Sequence, residues 1–274
     1  MSFSDLLREV DPERSLPFEN RLYANICGST NEIGKRIGAA GARELENENS
    51  EAFFWRSTHP WLIVSLEQAE GRGRLGNRWQ SPRGGIYVSI VVPAFPTRHV
   101  HNLPQLAGVG LCKGVEAVSG RRCTLKWPND LQIGAKKVGG ILIEVVARNS
   151  EIGYAVIGFG VNFLSAPRDI PYPTTAIAEE ARSELQYSVA LRTLVSALCQ
   201  ELDRCNDSGY AMRSYASCSA HRVGETMTCR MMNGSVTGTF LGFDTRGFLR
   251  LQVEGSEQVL AATEIVPATP ELTS

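Results

Sequence analysis

At 274 residues the chain exceeds the usual span of about 100–200 residues for one domain, so one large unit plus a smaller one is the first expectation. Charged residues make up 21 % and the formal net charge is −1, which excludes a global field toward nucleic acid or anionic membrane, and no apolar run approaches the roughly 18 residues of a membrane span. Seven cysteines without CxxC spacing read as the reduced thiols of a cytoplasmic protein, and Cys218, His221 and Cys229 fit no standard zinc spacing.

In chain order, residues 1–20 read as a short helix and a Pro-containing turn; the acids Asp5, Glu9, Asp11 and Glu13 are unlike an Arg-rich mitochondrial presequence. Leu22–Ile26 reads as a strand. Ser29-Thr30-Asn31-Glu32 places cap-forming side chains ahead of a helix over Ile33–Arg43. The acidic ELENENSE stretch and the FFWRSTHPW that follows read as a surface excursion over 44–60. Strands follow at Trp61–Leu66 and Ile86–Pro93, a helix at Leu103–Ser119, strands at Cys123–Lys126, Gly139–Ala147 and Gly153–Phe159, and one long helical region at Ala176–Tyr215. From His221 onward, short alternating strands are punctuated by Asn233-Gly234, Asp244–Gly247 and Glu254-Gly255. That texture predicts a small β-barrel, giving a division at 1–219 and 220–274.

The segment EGRGRLGNRWQSPRGG contains Gly71, Gly73 and Gly76 in G-x-G-x-x-G spacing. The residues Asn77–Pro82 cannot form the helix a dinucleotide pyrophosphate needs, and no acid lies about 20 residues on, so a Rossmann site is excluded. Glycines interleaved with Arg72, Arg74 and Arg78 give instead a mobile loop whose backbone N–H groups and guanidinium forks can close on an anion; with no anion bound, like charges predict disorder. An exposed basic hairpin tip is the structural alternative.

In KWPNDLQIGAKKVGGILIE, Trp127–Asp130 makes a turn at a strand end, Gly134 reverses a hairpin, and Gly139-Gly140 lets a ligand approach backbone. Of Lys136 and Lys137, only one is expected to point inward, where it could meet a carboxylate or phosphate; the alternative is a solvated hairpin lysine. Ile157–Asn162 is a strand end with two glycines and an amide, equally readable as a bulge.

Together GRGRxGxxWxSPxGxxxxS, KWPNDL followed by KxGGILIE, GxGxN and the upstream STN resemble the biotin protein ligase family in order and spacing, over roughly residues 22–165 plus the small C-terminal unit. The resemblance implies an α+β fold: a class II synthetase-like mixed sheet backed by helices, followed by an SH3-like β-barrel. It implies that biotin is activated with ATP as biotinyl-5′-AMP, with Mg²⁺, and passed to a lysine of a biotin carboxyl carrier domain. Ser29, Thr30, Gln68, Gly71 and Arg72 match positions around the biotin ureido ring; Gly140, Ile141, Gly158 and Gly160 match the wall along the thiophane and valeryl chain. Arg74 and Lys137 match the cations at the carboxylate and α-phosphate, Trp79, Asn129 and Asn162 the nucleotide side, and Asp130 the reacting centre. Asn77 departs from the family, where a basic residue is common, which puts the hold on the ATP phosphates in doubt.

Lipoate or octanoate ligases share the fold, and the complete GRGRLG and KWPNDL motifs speak against them. A biotin-responsive DNA-binding repressor is also disfavoured, because about 20 residues ahead of the catalytic unit fall short of the roughly 40 a self-standing unit needs. A catalytically dead interaction protein is disfavoured by the intact Arg74 and Lys137. No DNA and no membrane partner is expected; a homodimer is a possible assembly.

Overall fold

The apolar run Ile86–Pro93 is buried at every position, the mark of a strand covered on both faces, and it sits in the middle of the molecule. We describe a computed structural model covering residues 16, 18–41, 58–93, 99–148, 151–182, 184–231, 234–261 and 264–266. The expected N-terminal helix, most of the 44–60 excursion and the Asn233 turn position lie outside the described residues.

Seven strands form the first sheet: β1 (Asn20–Ala24), β2 (Trp61–Ser65), β3 (Ile86–Pro93), β4 (Cys123–Lys126), β5 (Asp130–Ile133), β6 (Lys136–Arg148) and β7 (Glu151–Val161). Their order is β1-β2-β3-β7-β6-β5-β4, with β1 parallel to β2 and every other neighbour antiparallel. The sheet is therefore mixed, as expected.

Helix α1 (Thr30–Gly41) covers one face over Ile63, Val91, Tyr154 and Val156. It packs closely because Gly34 and Gly38 face Val156 and Tyr154 without a side chain of their own. The other face carries the main core under α2 (Asn102–Ser119) and α4 (Tyr187–Leu202). A Cβ at Gly110 of α2 would lie 2.7 Å from Leu198 Cα, so the two helices meet backbone to backbone.

The helical region expected at Ala176–Tyr215 holds three helices: α3 (Ile177–Glu180), α4, and α5 (Ser208–Cys218). The break after α4 is chemical. Asp207 accepts the Tyr210 N–H as an N-cap, starting a new helix.

The C-terminal strands β8 (Thr226–Met231), β9 (Gly234–Phe243), β10 (Leu249–Val253), β11 (Ser256–Leu260) and β12 (Glu264–Val266) form an antiparallel sheet ordered β11-β10-β9-β8-β12. Glu254 and Gly255, both at positive φ, make one of its expected turns. Strand pairing among the described residues leaves β11 and β12 as the two edges, so it does not close the expected barrel. Among the described residues no helix is long and apolar enough to cross a membrane, and no cluster of three His, Cys, Asp or Glu side chains could hold a metal.

Candidate active site

Ser29 and Thr30 open α1 as the sequence predicts, but their work extends beyond capping. The Ile33 N–H donates to Ser29 O (3.1 Å), starting the helix. The Thr30 N–H and hydroxyl both donate to Gln68 Oε1, at 2.8 and 3.1 Å. Gln68 Nε2 in turn donates to Ser81 Oγ (2.9 Å). Ser89 Oγ lies 2.8 Å from Thr30 Oγ1 and 2.6 Å from Asn31 Oδ1, so its single proton serves one of them at a time. Asn31 Nδ2 donates to Leu142 O (3.2 Å) and Glu144 Oε2 (2.9 Å), and Lys35 Nζ holds the other Glu144 oxygen at 3.0 Å. Ser29, Thr30, Asn31 and Ser89 are all buried. The result is a fixed polar floor joining α1, β3 and β6, which could orient a neutral polar ring by hydrogen bonds.

The Gly/Arg segment borders this floor. A Cβ at Gly71 would collide with Ser81 Oγ and Trp79 O, and the Trp79 N–H donates to Gly71 O (2.9 Å). Beyond it, Arg72 bridges Arg78, the Gly73 N–H donates to Asn77 O (2.7 Å), and a 3-10 turn over Arg74–Gly76 forms the tip. Leu75 at the tip sits at φ 55, uncommon for a side chain, and is 71 % exposed. Arg72 finds a counter-charge in Glu32, which also pairs with Lys35, and the repulsion that predicted disorder is locally relieved. Those two cations hold the Glu32 carboxyl below its usual range, the Lys35 hydrogen bond contributing most. A cleft of about 520 Å³ lies between this segment and β6, lined by Arg72–Asn77, Leu142 and Glu144.

The hairpin β5–β6 turns at Gly134, φ 60, and a register shift between Leu131 and Gln132 sets the two lysines apart. Lys137 is 15 % exposed and holds Asp130 Oδ1 at 2.7 Å; Lys136 is 49 % exposed and pairs with Glu180. Lys137 Nζ also lies 5.2 Å from the Trp79 ring and 5.3 Å from the Tyr172 ring, within cation–π range. Arg74 is partly buried; its carbonyl accepts the Asn77 N–H (3.0 Å), but its guanidinium makes no ion pair or hydrogen bond among the described residues. Burial pushes its guanidinium below the usual value, opposed by nearby Asp130. Two cations therefore act on one carboxylate: Lys137 is paired with Asp130, and Arg74, on the cleft lining, is not.

Trp79 connects the halves of the site. A Cβ at Gly160 would collide with its indole nitrogen, and one at Gly140 would lie 3.5 Å from its Cζ3. Its Nε1 is buried without a hydrogen-bond partner among the described residues, a donor such as a ligand could satisfy. Asn129 and Asn162 spend their amides on backbone: Asn129 Nδ2 donates to Ile141 O (2.7 Å) and Asn162 Nδ2 to Thr175 O (3.0 Å). They shape this side of the site through the segments they hold. At Gly158 a Cβ would collide with the Asn31 amide, so this glycine serves the polar floor.

Of the expected residues, Arg72 and Arg74 line the cleft; contacts link Thr30 to Gln68, Gly71 to Trp79, Trp79 to Gly140, Gly160 and Lys137, Lys137 to Asp130, and Gly158 to the polar floor, while Ser29, Asn129 and Asn162 hold backbone. Ile141 departs from that set. Its side chain is 5 % exposed within the main core, and strand alternation gives the cleft-facing place to Leu142 instead. The sequence reading missed Leu142, although counting alternate residues from Gly140 finds it. Ser89 and Glu144 close the two long motifs but were given no role there, and Tyr172 was missed because an aromatic in a Pro-rich stretch gives no local signal.

With this geometry described, the likenesses to known proteins can be stated. The biotin/lipoate A/B protein ligase family matches residues 42–162. The chain is 28 % identical over 254 residues to the bifunctional ligase/repressor BirA of Bacillus subtilis, covering 89 % of this chain and 73 % of that protein. It is 27 % identical to the biotin--[acetyl-CoA-carboxylase] ligase of Paracoccus denitrificans, covering 74 % and 88 %. In fold it is similar to the biotin protein ligase of Aquifex aeolicus in complex with biotin and ATP, with TM-score 0.69, 22 % identity, and coverage of 91 % of this chain and 98 % of that one.

Proposed function

From the match of residues 42–162 to the biotin/lipoate A/B protein ligase family and the likeness to named ligases, we propose that the chain is a member of that family and a biotin protein ligase, making biotinyl-5′-AMP from biotin and ATP and passing the biotinyl group to a lysine of a biotin carboxyl carrier domain. The observation that carries the reading is that Arg74, with no ion pair, lines a cleft and is acted on by Asp130, the carboxylate that holds Lys137, while neutral hydrogen-bonding groups at Thr30, Gln68 and Ser81 adjoin the same Gly/Arg segment.

A carboxylate does not acylate an amine at neutral pH, because oxide would have to leave. In the proposed first step a biotin carboxylate oxygen bonds to the α-phosphorus of ATP and the bond to the departing pyrophosphate breaks. Arg74 and Lys137 stabilise charge on the α-phosphate oxygens, and the polar floor at Thr30 and Gln68 fixes the other end of biotin; positioning and electrostatics supply the catalysis. In the second step the lysine nitrogen bonds to the biotinyl carbonyl carbon, the bond to the AMP oxygen breaks, and the amine proton leaves. An unperturbed lysine has a pKa near 10.4, so desolvation on docking must lower it. Asp130 uses Oδ1 on Lys137, and we assign its other oxygen to orienting that amine or taking its proton. Mg²⁺ accompanies ATP in this proposal, held mainly by phosphate oxygens and water. The proposed division places catalysis in residues 1–219 and the docked C-terminal sheet in 220–274, in a cytoplasmic enzyme.

Purified protein should release pyrophosphate from ATP when biotin is added, and far less when lipoate replaces it. Release with lipoate and not with biotin would overturn the biotin reading in favour of the other branch of the family.

A further inference from the structure

The turn that carries Asn129 and Asp130 is held from behind by the C-terminal part of the chain. The Trp127 backbone N–H donates to His221 Nε2 (3.1 Å), and its indole Nε1–H donates to Gly247 O (3.0 Å). Next to it, the Ala220 N–H donates to Leu125 O (2.9 Å), and Gln105 Nε2 reaches Arg246 O at 3.0 Å. Trp127 is 4 % exposed. Three residues on, Asp130 holds Lys137, so a shift of Trp127 is passed along a short, tightly paired segment to the reacting cation.

His221 is the titratable member of this contact. A backbone N–H can only donate, so Nε2 must be the acceptor, and Nδ1 carries the proton given to Glu225 Oε1 (2.9 Å). A protonated imidazole has no acceptor, and its Nε2–H would then face the Trp127 N–H. The groups around the ring are Glu225 on its own segment, Lys126 of β4, and the Phe240 ring edge at 6.0 Å. Asp244, across the adjoining cleft, is committed to Arg246 and to the N–H groups of Arg246 and Phe248. Burial pushes the imidazole below its ordinary 6.5, against the pull of Glu225. The neutral form and its contact are therefore intact at neutral pH, and are lost as pH falls through a value below 6.5.

We infer that His221 is a positioning residue of the ligase site: by accepting the Trp127 N–H it holds the Trp127–Asp130 turn in register, and its protonation slackens that turn and slows adenylate formation. This rests on the ligase reading, and it makes the C-terminal segment part of the catalytic machinery.

His221→Gln offers a neutral acceptor near the position of Nε2 without titrating, whereas His221→Ala offers none. The first measurement needs no substrate: the ¹H–¹⁵N signal of the Trp127 indole, assigned through Trp127→Phe, is followed from about pH 8 to about pH 5. It should move through one step in the wild type and lack that step in His221→Gln. The second measures biotin-dependent pyrophosphate release over the same range. The wild-type kcat should fall through the same step with biotin affinity unchanged, His221→Gln should lose the step, and His221→Ala should be slowed roughly tenfold throughout, as expected for one lost hydrogen bond. An indole step persisting in His221→Gln, or a wild-type rate and profile in His221→Ala, overturns the inference. A His221-dependent indole step in a wild-type protein that releases no pyrophosphate overturns the ligase reading and the catalytic half of the inference, while upholding the contact.

Discussion

Lys136 and Lys137 are adjacent in sequence and differ completely in fate. The strand's period of two sends one to Glu180 on the surface and the other against Asp130 between the rings of Trp79 and Tyr172. If Lys137 stabilises charge developing on the α-phosphate, Lys137→Ala should slow pyrophosphate release by about 10²–10³-fold, the usual loss for one preorganised charge. Fold should survive, so unfolding by circular dichroism should be near wild type; a near-normal rate would remove Lys137 from the chemistry. Arg74 differs in having no protein carboxylate paired to it, which leaves its guanidinium available to an anion. As a clamp on the acyl-adenylate it should be needed for retention more than for formation. Arg74→Gly should weaken retention roughly ten- to a hundredfold, the worth of one charge-assisted bond of about 1.5–3 kcal/mol. Escaped adenylate acylates any exposed amine, so serum albumin incubated with the variant, ATP and biotin should become labelled more than with wild type. Unlabelled albumin alongside adenylate that stays on the variant would refute the clamp.

At the scale of elements, the strand and helix pattern was legible where periodicity is strong. β2, β3, β4, α2 and the start of α1 lie within a residue or two of their expected places, because continuous apolar runs and cap residues are local signals. The helical region expected at Ala176–Tyr215 is helical, but its division into three was not legible, because polar breaks such as the Asp207 cap look, in sequence, like one face of an amphipathic helix. The Gly/Arg segment was read as an anion-binding loop, and its tie to α1 was not legible: Glu32 lies 40 residues from Arg72, and no local reading reveals such a pairing. Motif spacing located most of the site, whereas Leu142 required knowing which face of β6 meets the cleft. The α2–α4 contact gives a prediction of its own. A methyl at Gly110 would lie 2.7 Å from Leu198 Cα and 2.9 Å from Ala197 O, both backbone atoms that cannot rotate away. Gly110→Ala should therefore destabilise by about 1–3 kcal/mol despite alanine's better helix propensity. Chemical denaturation checks this, and an unchanged or higher midpoint would mean that the helices separate at little cost.

Across the whole molecule, a mixed sheet supplies the platform, α1 contributes the polar floor, and the C-terminal part of the chain holds Trp127 through His221 and Gly247. In the proposed reaction these parts would hold a neutral ring, activate a carboxylate and admit a lysine. The composition is consistent with that division: a chain of net charge −1 offers no overall field, so in the proposed reaction the charge toward phosphate would have to be local, at Arg74 and Lys137. The most direct test of the account is transfer itself. The purified chain, ATP and biotin are incubated with an isolated biotin carboxyl carrier domain and, in parallel, with that domain carrying Arg in place of its acceptor lysine, and both products are weighed by mass spectrometry. The account predicts one biotinyl group added to the first domain, only when ATP is present, and none added to the second. No addition to the intact domain, or equal labelling of both, would contradict it.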